Sequence, residues 1–289
     1  MKPTLQYMRN SMAARFGTVA AAILLSVSAL DAQAKACSGQ SATQKVSLVE
    51  LYTSQGCSSC PPADQWLGTL TQRDDVVPLS MHVAYWDYIG WKDPFAKPEF
   101  AQRQRWLAQV SKSNSVYTPG VFVGGGEFRE WGSSFMQQRL FARHSNATAA
   151  ASIRIEKVSA GSALWRVVAT VDPAHSVENK RLFIAGTKNG LVSKVKAGEN
   201  NGRTLTNHHV VDFWSGPQNV KSGSQFEWQG TIANEPDELV AFVQDIKTGD
   251  VLQAFRLNVK TEQCRGDAKT SFKQSPTPSA LQSPQASLR

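Results

Sequence analysis

The stretch VELYTSQGCSSCPPAD, residues 49–64, constrains this chain more than any other. The run KVSLVELY (45–52) is apolar and β-branched enough for a buried strand. PPADQWLGTLTQR (61–73) reads as a helix, because proline is accommodated in a first helical turn but not inside it. Cys57 and Cys60 therefore sit where a strand turns into a helix. Unpaired backbone N–H groups and the helix dipole favour a thiolate there, which makes Cys57 the attacking sulfur. Cys60 is placed to resolve the mixed disulfide. Two other chemistries use the same sulfurs. One is a soft-metal clamp for Cu(I) with His82 as third ligand, His208 and His209 being further candidates. The other is an inert local staple. Zinc is less suited, since a second CxxC or Cys/His pair is missing. The redox reading needs no cofactor.

The compartment bears on that choice. Met1 to Arg15 carries Lys2, Arg9 and Arg15 without an acid, FGTVAAAILLSVSAL (16–30) has the length of a signal h-region, and small residues precede Lys35 and Cys37. Residues 1–34 are expected to be a removed signal peptide, leaving a periplasmic or secreted protein with no stable membrane span. Lipid modification of Cys37 is disfavoured by the polar residues between it and the apolar run. The net charge is +8, but the signal segment and the tail 265–289 together hold five of those charges. No basic stripe interleaved with aromatics remains in the body, so a nucleic-acid partner is not expected. The tail, rich in Ser, Pro and Gln, is expected to be disordered.

Between these ends the pattern changes near residue 150. VVPLSMHVAYW (76–86) predicts a second strand and KPEFAQRQRWLAQVSKS (97–113) an amphipathic helix. VYTPGVFVGGGEFREW (116–131) predicts a hairpin after a Thr-Pro, and SSFMQQRLFARH (133–144) a helix. Beyond 150, about seven strand signals follow one another with turn residues between, ending in a hairpin around KTGD, which suits an antiparallel sandwich. The expected organisation is an α/β domain (40–147) followed by an all-β sandwich-like domain (150–262).

The first half resembles the thioredoxin-like fold in its order: strand, CSSC, helix, strand, helix, then TPGVFVGGGEF. At the level of whole motifs, ELYTSQGCSSCPPAD, VAYWDYIGWKDPFA, VYTP and GENNGRTLTNHHVV resemble a family of secreted bacterial proteins catalogued as domain of unknown function 1223. The resemblance implies an exported protein with no established reaction. It implies a cis peptide at Thr118–Pro119 beside the cysteines, offering backbone to a substrate. It also implies a proton-relaying role for Glu50, the alternative being a salt-bridged carboxylate. Tyr85 and Trp86 open an aromatic segment that either lines a substrate groove or packs under a loop. The segment 198–211 either reaches the CxxC face or caps the second half.

Cys37 and Cys264 bracket the body and in an oxidising compartment read as a structural disulfide, paired 37–264 with 57–60. The function expected is thiol–disulfide exchange with a thiol- or disulfide-bearing protein or small molecule. A periplasmic copper metallochaperone and a non-catalytic binding module are the alternatives.

Overall fold

The computed structural model describes residues 37–159, 161–261 and 264. The expected signal segment and C-terminal tail lie outside them. Strands β1 (Ser38–Gln40) and β2 (Ser47–Thr53) precede helix α1 (Pro61–Thr69), β3 (Val76–His82) and α2 (Pro98–Val110). Then come β4 (Gly120–Val123), β5 (Gly126–Glu127) and α3 (Ser134–Ser145). The rest is strand: β6 (Ala151–Lys157), β7 (Leu164–Val171), β8 (Lys180–Lys188), β9 (Leu191–Lys194), β10 (Thr204–Asn207), β11 (Val210–Gln218), β12 (Gln225–Thr231), β13 (Glu238–Asp245) and β14 (Val251–Asn258).

β2 is buried along its whole length. It pairs in parallel with β3 through the α1 crossover, and a parallel pair needs such a crossover. Its two faces enter different cores. Val49 and Leu51 pack with Ala63 and Leu67 of α1 and Phe141 of α3. Leu48 and Tyr52 face Phe100 and Leu107 of α2. That alternation is the period-two geometry of a strand covered on both sides. In β7 the same period is visible as Trp165, Val167, Ala169 and Val171, which face inward while their neighbours do not.

The two halves are not separate folds. Eight strands form one sheet in the order β14-β13-β8-β11-β3-β2-β4-β5. The seam between halves is the parallel pairing of Val210 with Ser80, beside the Ser80 N–H bond to the His209 carbonyl at 2.8 Å. Of the other expected sandwich strands, β6, β7 and β12 join β1 in the four-stranded order β1-β6-β7-β12, while β9 and β10 pair with each other as a two-stranded sheet. Residues of both sheets share a third core, with Ile153, Trp165 and Phe226 on one side and Ile184, Ala241 and Val243 on the other. The expectation of an α/β thioredoxin-like domain followed by an all-β sandwich-like domain is therefore overturned. With fourteen strands against three α-helices among the described residues, the chain is predominantly β. The layer assigned to a second domain is the continuation of the first half's sheet. The physical reason is the edge of β3 at Ser80, whose backbone is met by His209 and Val210 from the other half of the chain. Cys37 and Cys264 are joined, with Cα atoms 4.5 Å apart, inside the core between the two sheets.

Candidate functional site

Ser54 to Cys60 leave β2 in a tight turn: Cys57 N–H bonds to the Ser54 carbonyl and Cys60 N–H to the Cys57 carbonyl. The Cys60 carbonyl then accepts from Ala63 and Asp64, launching α1, whose first residues are prolines. Cys57 and Cys60 are disulfide-bonded, with Cα atoms 5.5 Å apart, and both are fully enclosed.

Three pieces of chain enclose them. The Thr118 carbonyl lies 3.8 Å from Cys57 Sγ, and the Thr118–Pro119 peptide is cis. Trp86 Nε1–H donates to Thr118 Oγ1 at 2.7 Å, so the aromatic segment after β3 holds the Thr-Pro loop in place. From the second half, Glu199 Oε2 accepts from the Ser58 N–H and hydroxyl at 2.9 and 2.8 Å. Asn200 Nδ2 donates to the Gln55 and Cys57 carbonyls at 2.9 and 2.8 Å. The 198–211 segment thus reaches the CxxC turn. Removing the amide in Asn200→Ala forfeits both bonds, and at roughly 1 kcal/mol each the enclosed disulfide should be reduced by a phosphine about thirtyfold faster. Timed alkylation read by mass spectrometry measures this; an unchanged rate shows that Asn200 does not hold the turn closed.

The remaining expected residues are scattered. Tyr85 donates its hydroxyl to Gln104 Oε1 at 3.1 Å and also faces the Thr118 side chain. Glu50 lies on the α2 face of β2, opposite α1, where Arg103 Nε and Nη2 reach its two oxygens at 2.6 and 2.9 Å and Tyr52 donates to it at 2.9 Å. That arrangement is the salt-bridged alternative, and the structure does not bring Glu50 to the cysteines. His209 uses both ring nitrogens, on Glu238 at 3.0 Å and Thr71 at 2.8 Å, at the seam of the sheet. Among the described residues no group of three or more His, Cys, Asp or Glu is set to hold a metal.

Behind the CxxC turn lies a polar cluster that sequence reasoning missed apart from His82. Nδ1 of His82 is 2.7 Å from Asp93 Oδ2, which also accepts the Gln55 N–H. Burial works against charge on the His82 ring, but the Asp93 carboxylate outweighs it and the pKa ends raised. Burial likewise opposes ionisation of Asp93, and His82 with two backbone donors overcomes it, leaving the pKa lowered. Asp64, on α1, is pushed up to about 6 by burial. The only local signal for these acids was their position inside PPAD and WKDPFA. A cleft of about 400 Å³ runs beside Asp64 between α1 and β10, lined by Pro61, Asp64, Gly68, Arg203 and His208 among others.

The fold and site define a class: a predominantly β protein with a mixed sheet, whose enclosed cysteine pair sits at a strand-to-helix turn. Residues 48–244 match the family described as protein of unknown function (DUF1223), and the chain belongs to that family. The structure is similar to that of protein AGR_C_4864 from Agrobacterium tumefaciens, with a TM-score of 0.55 and 25% identity over 81% of this chain and 100% of that one. It is also similar in fold to HBP35 of Porphyromonas gingivalis, with a TM-score of 0.59 and 16% identity over 83% of each chain. No curated protein matches the sequence. Among the described residues no helix is long and apolar enough to cross a membrane.

Proposed function

We propose that this protein is exported to the periplasm or beyond and carries out thiol–disulfide exchange with a thiol- or disulfide-bearing protein or small molecule. The observation that carries this reading is the Cys57–Cys60 disulfide just ahead of α1 with the Thr118 carbonyl beside Cys57. When the pair is reduced, the helix terminus favours the Cys57 thiolate. That thiolate attacks a substrate disulfide, forming a Cys57 mixed disulfide and expelling one substrate sulfur. Cys60 then attacks Cys57 and expels the other, so the pair is oxidised and the substrate reduced; the reverse sequence oxidises a dithiol. The signal-like segment 1–34 and the two disulfides support an oxidising compartment.

The test replaces Cys60 with Ala in cells that export the protein. Cys57 then attacks without resolution, and covalent adducts that disappear on reduction accumulate, while Cys57→Ala accumulates none. The enclosure of both sulfurs favours a second reading, a non-catalytic binding module with the CxxC as a staple. A folded Cys60→Ala variant without adducts supports that one instead.

A further inference from the structure

Three side-chain atoms behind the cysteine pair are fully buried without a hydrogen-bond partner: Thr53 Oγ1, Asp64 Oδ1 and His82 Nε2. They come from three elements that the topology brings together. Thr53 ends β2, His82 ends β3, and the two are register partners. Asp64 is on α1, one turn after Cys60, whose carbonyl accepts the Asp64 N–H at 3.1 Å. Residues so spaced have Cβ atoms about 5–6 Å apart, so the Asp64 side chain stands one helical turn from that of Cys60. Orphaned polar atoms in an enclosed place are costly, and three together ask for a use.

We propose that Asp64 is the proton acceptor for Cys60, with the hydrogen-bonded His82 and Asp93 behind it. The proposal rests on the exchange reading above. In the resolving step the Cys60 proton passes to the Asp64 carboxylate and the Cys60 electron pair forms the bond to Cys57 Sγ. The Cys57–substrate bond breaks, and its electron pair leaves with the substrate sulfur. A carboxyl that burial holds near 6 is ionised at neutral pH yet basic enough to take a proton. The charged and titratable groups facing it are His82 of β3, Asp93 of the following loop, and, across the cleft, Arg203 and His208. Thr53 faces the carboxyl just outside strict hydrogen-bond geometry.

The reduced protein, mixed with an excess of the aromatic disulfide 5,5′-dithiobis(2-nitrobenzoate), should release two thionitrobenzoate groups in sequence. The first reports attack by Cys57 and the second resolution by Cys60. In the wild type the second phase should rise with pH and level off above about 6, where Asp64 is ionised. In Asp64→Asn the first phase should stay within about twofold while the second slows at least about tenfold at pH 7. Its rate should then keep climbing toward the ordinary thiol range near 8.5. Asp64→Glu should restore the levelling off. A second phase equally fast in Asp64→Asn, or a wild-type second phase with no levelling near 6, overturns the proposal. Absence of the first phase in the wild type overturns the exchange reading itself. Because the wild-type profile is diagnostic alone, failure of a variant to fold does not remove the test.

Discussion

Replacing Arg103 with Met should lower the unfolding free energy by about 3–5 kcal/mol. The guanidinium reaches both oxygens of Glu50 and also Gln244 Oε1 at 2.8 Å. It lies 4.8 to 5.4 Å from the ring centres of Phe183, Phe242, Trp214 and Trp106. Methionine fills much of that space, but it leaves the enclosed Glu50 carboxylate with the Tyr52 hydroxyl as its remaining hydrogen-bond partner. An uncompensated buried charge is the expensive outcome, so the double variant Glu50→Leu/Arg103→Met should recover most of the loss. Urea unfolding of the two variants measures this. A loss below about 1 kcal/mol in Arg103→Met would mean the pair is not a structural anchor. The same geometry predicts that Glu50→Gln alters attack and resolution alike, unlike a proton relay to Cys60, which would slow resolution alone.

The second large effect lies at the ends of the body. Converting Cys37 and Cys264 to Ser should cost about 3–5 kcal/mol, because that bond closes a separation of 227 residues and chain entropy grows with the logarithm of the loop. Both sulfurs lie in the core shared by the two sheets, so the serines also bring hydroxyls into an apolar place. The Cys57–Cys60 bond spans a separation of 3 and should contribute much less. Thermal unfolding of the two Cys-to-Ser pairs compares them directly. A larger drop for the 57/60 pair would mean that the helix-terminal disulfide, not the bond between the ends, holds the fold.

What the chain's order of residues determined alone is local. The period of β7, the unbroken apolar run of β2, and the prolines that open α1 are readable because strand alternation and helix entry are set by neighbouring residues. The placement of Cys57 and Cys60 at a strand-to-helix turn follows from these, and so does the candidacy of Cys37 and Cys264 from their isolation at the two ends. Family motifs added Thr118–Pro119 and marked the 198–211 segment, without saying what either touches.

Tertiary structure decided the rest. One register pair at Val210 and Ser80 joins strands of the two expected domains in one eight-stranded sheet. A strand edge has the same backbone donors and acceptors whichever strand meets it, so no local pattern announces that pairing. The resemblance offered Glu50 as a proton relay, with a salt-bridged carboxylate as the alternative. Its partner is Arg103, on a helix that packs against the opposite face of β2 from α1. Glu199 and Asn200 close over the cysteine turn, and Asp64, His82 and Asp93 gather behind it, from segments far apart in sequence. Buried polar groups are satisfied by whatever the fold brings near, and that choice belongs to packing, not to sequence spacing.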